Sequence, residues 1–297
     1  MATIASGLND QIIAQAAIEG FASALAPLDS FSTDYSNETV NKGSVVHVPL
    51  VSAITAGTTE NAYETEDTAG LTSVDVTLSS YAKATVGITD KQFNNSSAAR
   101  LELFARQQGK AVAKKIIQTA WALILNANYS SKVTKALSSF TAADIRALRK
   151  AMTNNDVPPE NRALFLAPDF YDKLIGDTSI TIASALHYGG TEVIREGRIP
   201  RYLGFQLFES TIIPDNSENL VGFGVHPTAL AVAIRPIEPQ APGEYLESRI
   251  VTDEASGISL GYRRHYQAAK GTHYVTFDAY FGAAVGNAAG ITRLVTA

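Results

Sequence analysis

Apolar and polar residues alternate from Val74 to Ile88 with one interruption at Ser80, and this is the strongest hydrophobic pattern in the chain. A shorter alternation covers residues 45–50, and the segment between the two is rich in turn-forming residues. Strands usually contain about 5–6 residues, whereas the fifteen residues 74–88, at about 3.3 Å each, would span roughly 50 Å. Residues 43–89 are therefore predicted to form a two-stranded arm that leaves the body of its own subunit.

Helical spacing of apolar residues predicts an amphipathic helix within residues 1–28. Asn9 or Asp10 is expected to cap this helix, and Pro27 is expected to end it. The pattern leaves two arrangements open. The helix could dock on its own core, or it could lie as an arm on a neighbouring subunit.

A second, longer amphipathic pattern covers residues 96–128, with Ser96 or Ser97 as its cap. At 1.5 Å per residue, the predicted helix would be about 45–50 Å long. Its apolar face includes Phe104. Gly109 lies inside the helix, where glycine costs about 1 kcal/mol relative to alanine.

The remaining sequence mixes helix and strand patterns. Thr141 and Asp144 resemble a capping box at the start of a helix. Strands are predicted over residues 163–167, 203–207 and 275–281, with two more between 220 and 234 that break at His226, and a short helix is predicted over 169–175. This mixture predicts an α+β fold.

Composition is that of an ordinary folded protein. The 297 residues are 45% hydrophobic and 18% charged, carry a net charge of −5 and include no cysteine. No apolar run approaches the roughly 18 residues needed to cross a membrane, and no signal-peptide pattern is present. The negative net charge argues against strong attraction of the whole chain to nucleic acid. The absence of cysteine excludes disulfides and thiolate metal sites.

Charge is segregated between the predicted arm and the long helix. Residues 43–82 contain no lysine or arginine, and four acids are grouped toward the turn-rich tip: Glu60, Glu64, Glu66 and Asp67. The long helix carries a basic set against a single acid: Arg100, Arg106, Lys110, Lys114 and Lys115. We predict that the acidic tip meets basic residues of an adjacent subunit, because complementary charge selects partner and register. The alternative for the helix is a solvated basic face.

Two further basic clusters have neighbours that give them a possible binding role. One contains Arg195, Arg198 and Arg201, and the other is Arg263-Arg264 between an aromatic residue and a histidine. Basic residues with flanking aromatics can bind nucleic acid, but Glu192 and Glu196 dilute the first cluster. Pairing with acids, within the chain or on a neighbour, is therefore favoured over a low-affinity contact to DNA. The first cluster is a second candidate partner for the acidic tip.

Motifs for catalysis, cofactors and metals are absent from the sequence. None of the five histidines has a zinc-type spacing, and no phosphate-binding loop or nucleophile elbow occurs. We therefore predict no catalytic, cofactor-binding or metal site. A soluble α+β enzyme with an uncommon site near His226 or His265 is kept as an alternative.

Five short segments have counterparts in one known family: residues 42–49, 163–174, 197–205 with 210–214, 219–235 and 271–282. Their order resembles that in the major capsid proteins of tailed double-stranded-DNA bacteriophages, whose Johnson fold is shared with encapsulin shells. The resemblance covers nearly the whole chain. It implies an N-terminal arm (1–42), an extended β-hairpin loop (43–90), a peripheral domain with a spine helix (91–135), an inserted axial domain (136–243) and a β-return (244–297).

The resemblance implies a structural protein and no enzyme. Such proteins assemble in the host cytoplasm into an icosahedral virion capsid of hexamers and pentamers, held by contacts of the extended loop and the N-terminal arm. The implied partners are further copies of the chain, a portal and packaged DNA bound without sequence specificity. No membrane or cofactor is implied. The alternative within the same fold is an encapsulin-type compartment that encloses protein.

Two family features are not expected here. Some members crosslink a lysine of the extended loop to an asparagine of a neighbour, but residues 43–82 contain no lysine. Some members also carry a long cleaved scaffolding segment, for which the sequence leaves no room before the helix within residues 1–28. A separate scaffolding protein is then implied if scaffolding is needed, and a decoration protein is a further possible partner.

Overall fold

The computed structural model of the protein describes residues 2–41, 43–51, 71–95, 98–177, 197, 199, 201–238, 245–254 and 256–296. The helices are α1 (Ala2–Leu25), α2 (Asp90–Asn95), α3 (Ala98–Trp121), α4 (Ala142–Asn154) and α5 (Pro168–Ile175). The strands are β1 (Ser32–Tyr35), β2 (Val45–Val51), β3 (Leu71–Thr77), β4 (Ser80–Thr89), β5 (Lys132–Thr134), β6 (Arg162–Leu166), β7 (Arg201–Tyr202), β8 (Phe205–Glu209), β9 (Leu220–Val225), β10 (Leu230–Arg235), β11 (Glu247–Thr252), β12 (Ser259–Gln267), β13 (Thr272–Val285) and β14 (Ile291–Val295). This mixture of helices and strands confirms the predicted α+β class.

Helices α1 and α3 cross at a pair of glycines. A Cβ atom on Gly109 would lie 2.1 Å from the carbonyl oxygen of Ala17, and one on Gly20 would lie 2.5 Å from that of Arg106. Real Cβ atoms do not approach a backbone oxygen so closely, so glycine is what allows the two helices to touch here. The buried faces of both helices then join the main hydrophobic core.

The N-terminal helix packs on its own subunit. It begins at Ala2, so the prediction that Asn9 or Asp10 caps it was wrong, because Asp10 is an interior helical residue that is only 2% exposed. The helix ends at Leu25, and a short 3-10 turn containing Pro27 follows, as predicted. Because one face of α1 is buried in its own core, only its exposed residues are free for contacts with a neighbour.

The spine helix α3 is shorter than predicted, because it ends at Trp121 and not near residue 128. The side-chain amide of Asn216 donates to the carbonyl oxygens of Trp121 and Ile124, at 3.3 and 2.9 Å. These bonds supply donors to carbonyls at and just beyond the helix end, where Trp121 O also accepts from the backbone amide of Ile124 at 3.0 Å. The capping group comes from a distant loop and is therefore invisible to a local sequence window. The predicted caps Ser96 and Ser97 lie outside the described residues.

The first six-stranded sheet is built around β13. Strands β12 and β10 follow one another along one side of β13, and β4 covers the other side. Strand β11 extends the sheet beyond β12, and β1 extends it beyond β10 in parallel orientation. The side-chain amide of the buried Gln108 on α3 donates to the carbonyl oxygens of Ala84 and Val275, which fastens the helix to β4 and β13.

The prediction that residues 74–88 form a single long strand leaving the body was wrong. Strand β3 pairs with β2 in a separate hairpin, whereas β4 pairs with β13 inside the body, and the break falls at Leu78-Ser79. Val76 and Leu78 pack with Ala231 and Ala233 at the base of the hairpin. A Cβ on Gly282 would lie 2.3 Å from the carbonyl oxygen of Thr77, so glycine permits this close crossing.

The second six-stranded sheet has the order β5-β14-β9-β6-β8-β7, and a second core forms where α4 and α5 pack against it. The predicted capping box is present, because the backbone amide of Thr141 donates to the Asp144 carboxylate at 2.9 Å. The predicted buried strand and following helix are confirmed as β6 and α5. Buried Arg162 donates to the carbonyl oxygens of Pro158 and Val157, just beyond the carboxyl end of α4.

The two strands predicted between residues 220 and 234 are confirmed, but they belong to different sheets. Strand β9 lies in the second sheet and β10 lies in the first, with a 3-10 turn at Pro227–Ala229 between them. The expected axial segment 136–243 thus contributes one strand to the first sheet. The division of the chain into arm, loop, peripheral and axial parts stays a prediction.

Candidate functional site

The exposed face of α3 changes from apolar to basic along the helix. Leu103, Gln107, Lys110 and Lys114 are spaced by four, three and four residues, so they lie on one face. All four are exposed, and Leu103 is 65% exposed. None of the ion pairs among the described residues involves Lys110 or Lys114. We call these four residues the α3 stripe.

Arg106, another predicted contact residue, already has a partner within the subunit. Its Nη2 lies 2.8 Å from Oε2 of Glu19 on α1, with the two side chains 46% and 47% exposed. An exposed pair of this kind contributes only about 0.2–1 kcal/mol. Breaking this pair would therefore cost the subunit little free energy.

An apolar groove lies between the amino-terminal half of α3 and the adjacent strand β4. It encloses about 770 Å³ and is lined by Val86, Gly87, Ile88, Gln92, Leu101, Leu103, Phe104 and Gln107. Phe104 is 55% exposed, so its assignment to the core-facing side of the helix was wrong. Leu101, Ala105, Gln108 and Val112 form the buried series of this helix at spacings of three or four residues, and Leu103 and Phe104 fall outside it. Two large apolar residues outside the buried series are the sequence signal that could have revealed the groove.

Strand β12 carries two adjacent arginines, Arg263 and Arg264, whose side chains form ion pairs on opposite faces of the first sheet. On one face, Arg264 Nη2 lies 2.9 Å from Oδ2 of Asp10, and the hydroxyl of Tyr262 donates to Oδ1 of Asp10 at 2.9 Å. Burial raises the pKa of Asp10, while Arg264 and the Tyr262 hydroxyl oppose that rise. This cluster fastens α1 to the sheet.

The neighbouring arginine makes a similar cluster on the other face. Arg263 Nε lies 3.3 Å from Oδ2 of Asp278, and the hydroxyl of Tyr81 on β4 donates to the same oxygen at 3.1 Å. Asp278 is 1% exposed, and burial raises the pKa of its carboxyl, with Arg263 opposing. The Arg263-Arg264 pair is thus engaged with acids of its own chain, as favoured from the sequence.

The other predicted contact residues fall into two groups. Arg100 lies in the first turn of α3, and Arg201 is exposed at the start of the short strand β7. The remaining ones lie outside the described residues: Glu60, Glu64, Glu66, Asp67, Arg195 and Arg198. The predicted meeting of the acidic tip with a basic group therefore stays a prediction.

Histidines among the described residues contact side chains of their own subunit. Nδ1 of His47 lies 2.6 Å from Asp75 across the arm, and His226 is within hydrogen-bonding distance of Thr228. His265 stacks on a tyrosine ring, with 5.0 Å between ring centroids. Among the residues that the structure describes, no three metal-binding side chains come together. None of their helices is long and apolar enough to cross a membrane.

Comparison with known proteins identifies one family. A family model described as "Phage capsid protein" matches residues 71–294. A search of curated proteins finds no match. The chain is similar to a solved structure titled "Mycobacterium phage Che8", at 19% identity and a TM-score of 0.58, covering 85% of each chain. It is also similar to the capsid of cyanophage P-SCSP1u, at 14% identity and a TM-score of 0.61, covering 90% of this chain and 86% of that one.

A third similar structure is a virus-like particle from Pyrococcus furiosus, at 12% identity and a TM-score of 0.57, covering 94% of this chain and 96% of that one. These likenesses establish the fold, which is the one that the sequence resemblance implied. The family model spans most of the chain. The protein therefore belongs to the phage capsid protein family and is a major capsid protein, a structural component that self-assembles into the virion shell.

Proposed function

We propose that copies of this chain form the hexamers and pentamers of an icosahedral shell around double-stranded DNA, and that the acidic arm tip joins neighbouring copies. The tip residues Glu60, Glu64, Glu66 and Asp67 would meet basic residues of the adjacent subunit. The first candidate partner is the basic set on α3: Arg100, Arg106, Lys110 and Lys114. The second is the loop with Arg195, Arg198 and Arg201.

The observation that carries this proposal is the α3 stripe. Lys110 and Lys114 are exposed on a helix whose other face is buried, and no acid among the described residues pairs with them. The arm segment has the opposite charge, with no lysine or arginine between residues 43 and 82. Each exposed pair would contribute about 0.2–1 kcal/mol. That small contribution is repeated at every subunit contact of a shell, while apolar burial supplies most of the free energy.

The charge proposal is tested by reversing the arm charges. In the double variant Glu64→Lys/Glu66→Lys, shell yield measured by sucrose gradient and electron microscopy should fall, while circular dichroism of the subunit stays unchanged. A matched control is Glu254→Lys, which reverses an exposed charge in the turn between β11 and β12. Wild-type shell yield from the arm double variant, alongside unaffected control shells, would contradict the proposed contact.

The proposed contents of the shell are tested separately. Particles that enclose DNA should show a high ratio of absorbance at 260 nm to that at 280 nm, and nuclease treatment of opened particles should lower it. A protein-filled compartment of the same fold would show the ratio of protein alone. We further propose assembly in the host cytoplasm, with a portal and, where needed, a separate scaffolding or decoration protein as partners.

A further inference from the structure

We infer that the apolar groove between α3 and β4 is the seat of Tyr63 from the arm of a second copy of this chain. This inference rests on the proposed function, because it assumes that the arm reaches a neighbour. It goes beyond charge pairing, because it assigns the contact an apolar anchor and a receiving site.

The groove itself is unusual for the surface of a subunit. Leu103 and Phe104 are 65% and 55% exposed, and they stand beside Val86, Ile88 and Leu101. Contiguous exposed apolar surface in a soluble protein commonly marks a contact with another molecule. A groove of about 770 Å³ has room for a large side chain with its flanking backbone.

The arm contains one residue that suits this groove. Strand β2 ends at Val51 and β3 begins at Leu71, so residues 52–70 connect them. Within that segment the only large apolar or aromatic side chains are Ile54 and Tyr63. Tyr63 lies among the acids, and Ile54 does not. Tyrosine is enriched among interface anchors, because it combines a large ring with a polar tip.

The spacing of charges supports the same seat. Gln92 lines the groove, its neighbour Lys91 is exposed, and Lys110 follows Leu103 by seven residues on the α3 stripe. Seven helical residues span about 10.5 Å. Tyr63 is three residues from both Glu60 and Glu66 in the sequence, and three residues of an extended chain would span about 10 Å. With the Tyr63 ring in the groove, an extended arm would bring one acid to Lys110 and direct the other toward Lys91.

The absence of cysteine in the natural chain allows a direct test. We would prepare two single variants, Ala62→Cys beside the anchor and Gln107→Cys at the groove rim, which leave Tyr63 and Phe104 intact. Shells assembled from an equal mixture should form disulfide-linked dimers on mild oxidation, because a disulfide requires Cβ atoms about 3.5–4.5 Å apart. The control mixture pairs Ala62→Cys with Ser138→Cys, an exposed site on the 3-10 turn Leu137–Ser139.

The expected result is at least tenfold more dimer from the first mixture than from the control. Equal yields in assembled shells would overturn the inference. Crosslinking of Gln107→Cys to another protein in place of the arm would also overturn it. If the wild-type chain forms no shells at all, the proposed function fails, and that outcome is seen before any cysteine is oxidised.

Shell yields of further variants test whether the Tyr63 side chain is the one that fills the groove. Tyr63→Ala should lower shell yield several-fold, whereas Tyr63→Phe should retain most of it, because the ring fills the groove. Phe104→Ser should resemble Tyr63→Ala, and combining the two should add little further loss, since both remove the same contact. Independent, multiplying losses would show that the two residues act at different places.

Discussion

The N-terminal helix and the arm are held to the subunit in different ways. Helix α1 is fastened by the Gly20–Gly109 crossing, by the buried Asp10–Arg264 pair and by a face that merges with the main core. Within the described residues, the β2–β3 hairpin contacts the body through a small cluster at its base, around Val76 and Leu78. An element that reaches a neighbour must keep few contacts with its own body. The comparison therefore favours the arm over α1 as the strap between subunits.

The largest expected effect is on the attachment of α1. Asp10→Ala removes the carboxylate that pairs with the largely buried Arg264, whose side chain is 11% exposed, and an unpaired buried charge costs about 3–5 kcal/mol. Urea unfolding of unassembled subunits measures this loss. The control is Glu19→Ala on the same helix, whose half-exposed pair is worth less than about 1 kcal/mol. Equal losses of unfolding free energy in the two variants would contradict the expectation that the buried ion pair contributes more than the exposed one.

The helix crossing should be nearly as sensitive. Gly109→Ala places a Cβ 2.1 Å from the carbonyl oxygen of Ala17, so the helices must separate. Overpacking of this kind costs about 1–3 kcal/mol, even though alanine favours a helix by about 1 kcal/mol. The reverse change, Ala111→Gly at an exposed position of the same helix, should cost only about that 1 kcal/mol. A stabilised Gly109→Ala variant would show that the crossing can relax.

A smaller and more local effect is expected at the arm. Leu78→Ala empties a fully buried position at the arm base and should cost about 2 kcal/mol, the low end for such truncations. Hydrogen exchange should then quicken in β2 and β3 while α1 keeps its protection. Val45→Ala, which truncates a side chain that is 46% exposed on the same hairpin, is the control. Lost protection in α1 would argue that arm and helix form one cooperative unit.

The smallest expected effect is a dependence on pH. The pKa values of Asp10 and Asp278 are raised above 3.8, so the folded chain binds protons at a higher pH than the unfolded chain. The stability from this difference is fully present below the unfolded pKa and is lost as pH rises through the folded pKa. Wild type should therefore gain stability relative to Asp10→Asn/Asp278→Asn when urea unfolding is repeated at pH 4.5 instead of pH 7.

The sequence predicts elements well where one segment carries the information. The capping box at Thr141, the buried strand β6 and the proline-led helix α5 all depend on neighbouring residues, and all are present. The break between β3 and β4 was missed, because the same parity of apolar residues continues through Leu78 on both sides of it. Alternation reports which face is buried, but it does not report which strand is the partner.

Residues whose roles depend on distant partners were harder to predict. From the sequence alone, Gly109 predicts only a small loss of helix stability, and its role in the helix crossing becomes visible only when Ala17 is seen packed against it. The sequence suggested Asp10 as a helix cap, because its ion-pair partner Arg264 is more than two hundred residues away in the chain. The basic set on α3 was visible from the sequence, but the engagement of Arg106 by Glu19 was not. The surface character of a helix can be predicted locally, whereas its pairing requires the fold.

The junction between β4 and β13 has a mechanical consequence for a subunit that is pulled by its arm. Strand β4 continues directly from the arm and is paired with β13 over ten positions, from Ser80 opposite Phe281 to Thr89 opposite Thr272. A force along the strand axis acts in shear on all of these hydrogen-bonded pairs at once. No single hydrogen bond therefore carries the whole force. Further along the chain, β4 leads through α2 into α3, which passes the force into the rigid body of the subunit. The arm is thus anchored along the full length of β4, so a force on the arm is shared by ten paired positions of the sheet.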